Sequence, residues 1–136
     1  MWPEAVERRT ARCACGRLSV EVSGAPLRVS VCHCLECQQR TGCAFAVQAR
    51  FPRAAVRRHG EHTTYVRIGD SGGRMEAAFC PHCGSTVSYT VDTEPELVAI
   101  PVGAFADPAF PAPEMSVYEE RMHGWLHLDD AMRHAH

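Results

Sequence analysis

Seven of the chain's eight cysteines fall into three short clusters, Cys13-Ala14-Cys15-Gly16, Cys32-His33-Cys34-Leu35-Glu36-Cys37 and Cys80-Pro81-His82-Cys83-Gly84. Thiols at C-x-C and C-x-x-C spacing can converge on one point, and tetrahedral zinc takes sulfur ligands at about 2.3 Å. The outer pairs together supply four thiolates, while the middle run supplies three. A site of four thiolates is coordinatively full and reads as structural, whereas three leave a position for water or substrate and read as catalytic. Two zinc ions per chain are therefore expected. Cys13, Cys15, Cys80 and Cys83 would hold the structural one, and Cys32, Cys34 and Cys37 the catalytic one.

The alternative use of so many cysteines is a disulfide framework. The first 12 residues carry Glu4, Glu7, Arg8 and Arg9 without an apolar core, so no secretory signal is expected there. The longest apolar run, residues 97–106, is far short of the roughly 20 that span a bilayer. The expected compartment is the cytoplasm, where these spacings signal metal binding or redox chemistry rather than disulfides.

A chain of 136 residues suits one domain, and 46% hydrophobic with 22% charged residues is ordinary for a globular protein. We assign residues 1–12 to an N-terminal tail, 13–128 to the domain and 129–136 to a C-terminal tail. All 14 cationic residues are arginine, yet the formal net charge is −2, which argues against a dedicated nucleic-acid binder.

Period-2 alternation recurs along the chain and predicts a mainly β domain of short antiparallel sheets. Leu18, Val20 and Val22 mark one strand; Leu27, Val29 and Val31 mark a second that delivers the chain to Cys32. Residues 38–42 read as a loop or short helical turn. Phe45, Val47, Ala49 and Phe51 share one face of a third strand, which Pro52 interrupts. Residues 53–59 read as a solvated basic connection. Tyr65, Val66 and Ile68 pair across the turn Gly69-Asp70-Ser71-Gly72-Gly73 with Met75, Ala77 and Phe79. Residues 86–91 and 97–102 read as two further strands, residues 103–113 as a covering strap, and Val117 and Tyr118 as the start of a last element leading to Trp125.

The order C-x-C-G, strand, C-H-C-x-x-C, T-G-x-x-F, hairpin, F-C-P-x-C-G-S, G-x-F-x-D-P and a late tryptophan resembles the glutathione-dependent formaldehyde-activating enzyme family. That family also contains centromere protein V. The matching residues include Thr41, Gly42, Phe45, Phe79, Ser85, Gly103, Asp107, Pro108 and Trp125 beside the cysteines. The resemblance implies a zinc-stapled β fold and the same division of the seven cysteines into structural and catalytic sites. It also implies a carbon–sulfur lyase resembling S-(hydroxymethyl)glutathione synthase, with a small thiol and an aldehyde as partners. Cys43 stands where the family usually has a small residue and reads as a buried apolar side chain.

Three thiolates around Zn²⁺ leave a net negative site, which suits a soft, exchangeable sulfur ligand better than activation of water. The expected chemistry is thus reversible addition of a thiol to an aldehyde such as formaldehyde, with glutathione or a similar small molecule as the thiol. A proton must move to or from the adduct oxygen, and His33, Glu36 and Arg40 are the nearby candidates. Two other classes compete. One is a binding module in which both zincs are structural, His33 or a distant histidine closes the second site, and the β surface docks a protein or nucleic acid. The other is a thiol redox protein using Cys37 or Cys43.

Overall fold

A computed structural model of the protein describes residues 7–69 and 72–136. Strands β1 (Arg8–Arg12), β2 (Ser19–Ser23) and β3 (Arg28–Cys32) precede α1 (Leu35–Thr41), the one α-helix among the described residues. Then follow β4 (Ala46–Pro52), β5 (Val56–His59), β6 (Thr63–Ile68), β7 (Arg74–Phe79), β8 (Thr86–Val91) and β9 (Leu97–Pro101). Two short strands, β10 (Met115–Val117) and β11 (Arg133–His134), complete the order.

Eight strands form one sheet in the order β11-β10-β3-β4-β9-β8-β7-β6, and β1-β2-β5 form a second. Pairing is antiparallel except where β10 runs parallel to β3 and to β11. The small sheet packs on one face of the large one. Leu18, Val20 and Val22 meet Val29, Ala49, Phe51 and Ile100 there, all buried. Each fully buried Leu, Ile or Phe side chain contributes about 1.5–3 kcal/mol by leaving water. Phe105 and Phe110 cap this core, their rings stacked at 4.6 Å. The Asp107-Pro108 turn sets that stack, because Asp107 Oδ1 accepts from Ala109 N and the Asp107 carbonyl accepts from Phe110 N.

The mainly β reading holds, and the structure shifts several boundaries. Arg8–Arg12, placed in the tail, pairs with β2 in full register and buries Ala11, so from Arg8 onward the chain is sheet. Residues 1–6 of that expected tail, and Asp70 and Ser71 of the hairpin turn, lie outside the described residues. Residues 53–59 contain β5 rather than a solvated connection. Its backbone pairs with β2 although Arg57, Arg58 and His59 leave it no apolar face. At its end Gly60 adopts φ +104° against Arg17, where a Cβ would meet the Arg17 carbonyl oxygen at 2.1 Å. The expected C-terminal tail contributes β11, which adds two residues to the edge formed by β10.

The face of the large sheet opposite the core carries the polar partners of each alternation. Arg28, Ser30 and Cys32 of β3 lie there, with Arg50, Gln48 and Ala46 as their cross-strand partners on β4. In β8 an extra residue between Thr86 and Ser88 shifts the register against β7. That bulge turns Val87 into the core while Tyr89 points to the opposite side. Among the described residues, no helix is long and apolar enough to cross a membrane.

Candidate metal centre

Two matching knuckles bring the outer cysteine pairs together. Gly16 N donates to the Cys13 carbonyl and Gly84 N to the Cys80 carbonyl, at 3.1 and 2.8 Å. Both glycines sit at left-handed φ, +82° and +81°, which other residues adopt only with strain. Each turn aims an amide at a sulfur: Leu18 N lies 3.2 Å from Cys13 Sγ, and His82 N lies 3.3 Å from Cys80 Sγ. Ala14 N donates to Ser85 Oγ at 3.1 Å and ties one knuckle to the other across 71 residues.

The four sulfurs lie within 4.8 Å of one another, with Cys13–Cys15 and Cys15–Cys80 separations of 3.6 Å. A tetrahedron with bonds of about 2.3 Å has edges of about 3.8 Å, so the spacing suits a bound cation. No pair forms a disulfide. Hydrogen bonds from Ser85 hold Cys83 down to about 5. The Arg17 amide favours the Cys15 thiolate, but burial and the three neighbouring sulfurs outweigh it and push Cys15 up to about 11. So uneven an ionisation is what four crowded thiols adopt without a counter-charge. A divalent cation removes the conflict.

The second cluster is assembled over a shorter stretch. Cys32 ends β3, Cys34 is the N-cap of α1, and Cys37 lies in the first turn with its amide 3.3 Å from Cys34 Sγ. The Thr41-Gly42 motif ends the helix: Gly42, at φ +72°, donates to the Gln38 carbonyl, and Thr41 Oγ1 donates to the Cys37 carbonyl. The three sulfurs lie within 4.8 Å of one another, and among the described residues no histidine or carboxylate joins the group. Cys32 and Cys37 hold Cys34 down to about 2 by hydrogen bonding, while Cys32 is pushed far above the thiol range. Both clusters fit a soft divalent metal ion by donor type and spacing.

The three-thiol cluster opens into a cavity of about 520 Å³. One wall is the polar face of β3 and β4, and α1 and the β6–β7 hairpin form others. Arg28 Nη2 and Arg50 Nε share one carboxylate, that of Glu94, at 2.8 and 3.4 Å. The Arg28 hydrogen bond holds Glu94 below the usual carboxylate range. Arg67 pairs with Glu36 across the cavity, Nε to Oε2 at 3.3 Å. Arg40 stacks its guanidinium 5.0 Å over the Tyr89 ring, and its Nε is buried without a hydrogen-bond partner. Gln48 is 3% exposed; its Nε2 donates to Ser30 Oγ, while its Oε1 has no partner. Burial pushes the Tyr89 phenol up to about 12, so the cavity holds a neutral O–H.

Of the three proton-transfer candidates, Glu36 and Arg40 line this cavity and His33 does not. His33 is fully buried, because strand alternation at the end of β3 points it away from Cys32, and its Nε2 meets Ser116 Oγ at 2.8 Å. Burial lowers its pKa. Cys43, expected to be buried, is exposed, since the left-handed Gly42 turns the chain outward before β4 begins. Trp125 is 65% exposed with its ring edge-on to His123, so the late tryptophan contributes nothing to the core. Sequence reasoning passed over Tyr89, Gln48 and Arg50 as cavity residues. For Gln48 and Arg50 the signal was the polar half of the β4 alternation, which reads equally well as a solvent face; Tyr89, on β8, carried no such mark.

The model of the glutathione-dependent formaldehyde-activating enzyme family matches residues 8–121. The chain belongs to this family. The match begins at β1 and takes in both thiol clusters. A crystal structure of a Rhodobacter sphaeroides protein aligns with this family member at a TM-score of 0.57 and 23% identity, covering 73% of this chain and 91% of the other. At that identity the likeness speaks for the fold alone. No curated protein matches the chain.

Proposed function

We propose that the protein is a zinc-dependent carbon–sulfur lyase acting on adducts of a small thiol, glutathione or similar, with an aldehyde such as formaldehyde. The observation that carries this reading is the three-thiol cluster at the base of a cavity, with no fourth protein ligand among the described residues. A zinc ion held by Cys32, Cys34 and Cys37 would supply a soft, open coordination position for the substrate sulfur. A second zinc on Cys13, Cys15, Cys80 and Cys83 would be structural.

The chain's own groups do the rest. Addition breaks the thiol S–H and the carbonyl π bond, forms a C–S bond and places the proton given up by the thiol on the oxygen; cleavage reverses each change. Tyr89 presents a neutral hydroxyl inside the cavity and can donate to that oxygen as negative charge develops there. Arg40 brings its guanidinium charge up to the thiol cluster, where it favours the thiolate form of Cys37. Glu36 is held by Arg67 and serves to fix that wall.

Zinc stoichiometry and X-ray absorption at the zinc edge test the reading, with and without added thiol. Two zincs per chain and a mean sulfur count that rises on adding thiol are expected. Two zincs whose sulfur count ignores thiols would instead favour a binding module with closed sites. Carbon–sulfur lyase activity that survives Cys34→Ser while zinc content halves would overturn the mechanism.

A further inference from the structure

The strand β5 carries an arginine where its sheet points inward. Cross-strand pairing sets Val56 opposite Val22 and Arg58 opposite Val20, and both β2 valines are fully buried. Residues directly opposite in an antiparallel pair share a face, so Arg58 projects from the face that packs on the large sheet. Val56, one rung earlier, still packs against the core. The small sheet ends at β5, and a cavity of about 350 Å³ opens between this edge and strands β6, β7 and β8. Ser88 and Thr90 line it from the side of β8 opposite the Tyr89 ring, so it lies across the large sheet from the thiol cavity.

The wall facing β5 is rich in hydroxyls. Thr64, Ala78 and Ser88 form one row across β6, β7 and β8, and Glu76 pairs with Thr90 in the next. Two guanidiniums line the same cavity. Arg53 is anchored through Nε and Nη2, which donate to the Pro95 carbonyl at 3.1 and 2.9 Å, while its Nη1 has no partner among the described residues. Arg58 makes no hydrogen bond or ion pair with a described residue. Glu76, the one carboxylate in the lining, is paired with Arg74 at 3.4 Å. Arg53 and Arg58 therefore leave this cavity positively charged, although the chain as a whole carries −2.

We propose that this inter-sheet cavity is a second ligand site, which takes a small phosphate monoester with its phosphate on Arg53 and Arg58 and its organic part along Ser88, Thr90 and Glu76. The planar guanidinium fork matches phosphate oxygens pairwise, and a dianion with three terminal oxygens occupies two forks where a monocarboxylate occupies one. A volume of about 350 Å³ is at the lower end of small-molecule sites, so phosphate leaves room beside it for a short hydroxylated chain. Glu76 accepts from hydroxyls on such a chain, and Ser88 and Thr90 donate or accept. The site uses no residue of either thiol cluster and stands whether or not the proposed lyase chemistry does.

NMR titration of the zinc-loaded protein at constant pH and low ionic strength tests this, read at the His62 ring and the Ser88 amide in the cavity lining. The probes are glycerol phosphate, inorganic phosphate and acetate. Glycerol phosphate should bind at least ~10-fold more tightly than acetate, and more tightly than inorganic phosphate. Arg58→Gln and Arg53→Gln should each weaken it ~10-fold. Both side chains are exposed, and unchanged zinc content and melting temperature would show that the variants fold. Arg28→Gln, which removes a guanidinium from the thiol cavity, should leave glycerol phosphate binding unchanged. Absence of shifts at His62 and Ser88 with every probe at millimolar concentration would overturn the site. So would binding that is lost in Arg28→Gln and kept in Arg58→Gln, which would assign the anion to the thiol cavity. Inorganic phosphate binding as tightly as glycerol phosphate would overturn the monoester as the occupant.

Discussion

His33 Nε2 and Ser116 Oγ lie 2.8 Å apart, joining the residue between two thiols of the open cluster to the middle of β10. The His33 amide also donates to the Val117 carbonyl, at 3.1 Å. Together these contacts fix the turn from β3 into α1 from behind, on the side away from the cavity. His33 is therefore a positioning residue. Its removal should act on stability and on metal retention at the three-thiol cluster, and not on proton transfer. His33→Ala should cost about 2–4 kcal/mol in urea unfolding, through a lost buried ring and hydrogen bond. The pH–rate profile of the milder His33→Gln should keep the wild-type shape; a shifted limb would return His33 to the role of general base.

Behind Ser116 the chain closes with a second pair, in which His134 Nδ1 meets Glu119 Oε2. The hydrogen bond to Glu119 raises the His134 pKa above 6.5. For Glu119, burial acts upward, but hydrogen bonds from His134 and Ser116 outweigh it and lower the carboxyl below 4.5. A raised histidine stabilises the fold below its unfolded value of 6.5 and loses that effect as pH rises through its folded pKa. A lowered carboxylate stabilises above 4.5 and loses the effect as pH falls through its folded pKa. The docking of β11 should thus be strongest between pH 4.5 and 6.5 and loosen above. Amide exchange at Ala135, whose N–H donates to the Ser116 carbonyl, should quicken as pH passes from 6 to 8 by more than the intrinsic rate does. His134→Gln should abolish that excess.

The four-thiol site joins two knuckles that are 65 or more residues apart in sequence, through Cys15 and Cys80. Binding of a structural zinc in small domains is worth about 10–16 kcal/mol, as much as or more than the whole stability of a typical domain. Removing the metal also leaves four sulfurs that cannot all ionise at once. Chelation should therefore abolish cooperative thermal unfolding and collapse the β signal in circular dichroism. Cys80→Ser should do the same without chelator. Cys34→Ser, which touches only the other cluster, should keep a cooperative transition and lose one metal per chain.

The thiol clusters, most strands and the family were legible because each leaves a local mark: fixed spacing, period-2 alternation, a motif order. What was illegible depended on partners distant in sequence. β5 has one partly buried apolar residue, Val56, and exists because β2 offers its backbone a partner. The helix α1 buries only Cys37, so seven residues gave no apolar period to detect. The alternation of β3 marked Arg28 and Ser30 as one face without saying whether water or a cavity lies against it. Only the curl of the large sheet, bringing Arg67 on β6 within reach of Glu36 on α1, encloses that face.

Tyr89 is the cavity group whose role separates most cleanly from stability. Its ring is buried beneath the Arg40 guanidinium, yet its hydroxyl makes no hydrogen bond to a described residue. Removing a hydroxyl with no protein partner should change stability by less than about 1 kcal/mol. The same hydroxyl is the neutral donor available to the aldehyde oxygen, and loss of one such donor typically lowers kcat about 10²-fold or more. Tyr89→Phe should therefore keep two zincs, a wild-type melting temperature and thiol affinity while C–S bond formation slows about 100-fold. With the phenol raised to about 12, wild-type activity should show no loss from phenol ionisation below pH 11. Unchanged turnover in Tyr89→Phe would assign the donor elsewhere, and a lowered melting temperature with unchanged turnover would make the hydroxyl structural.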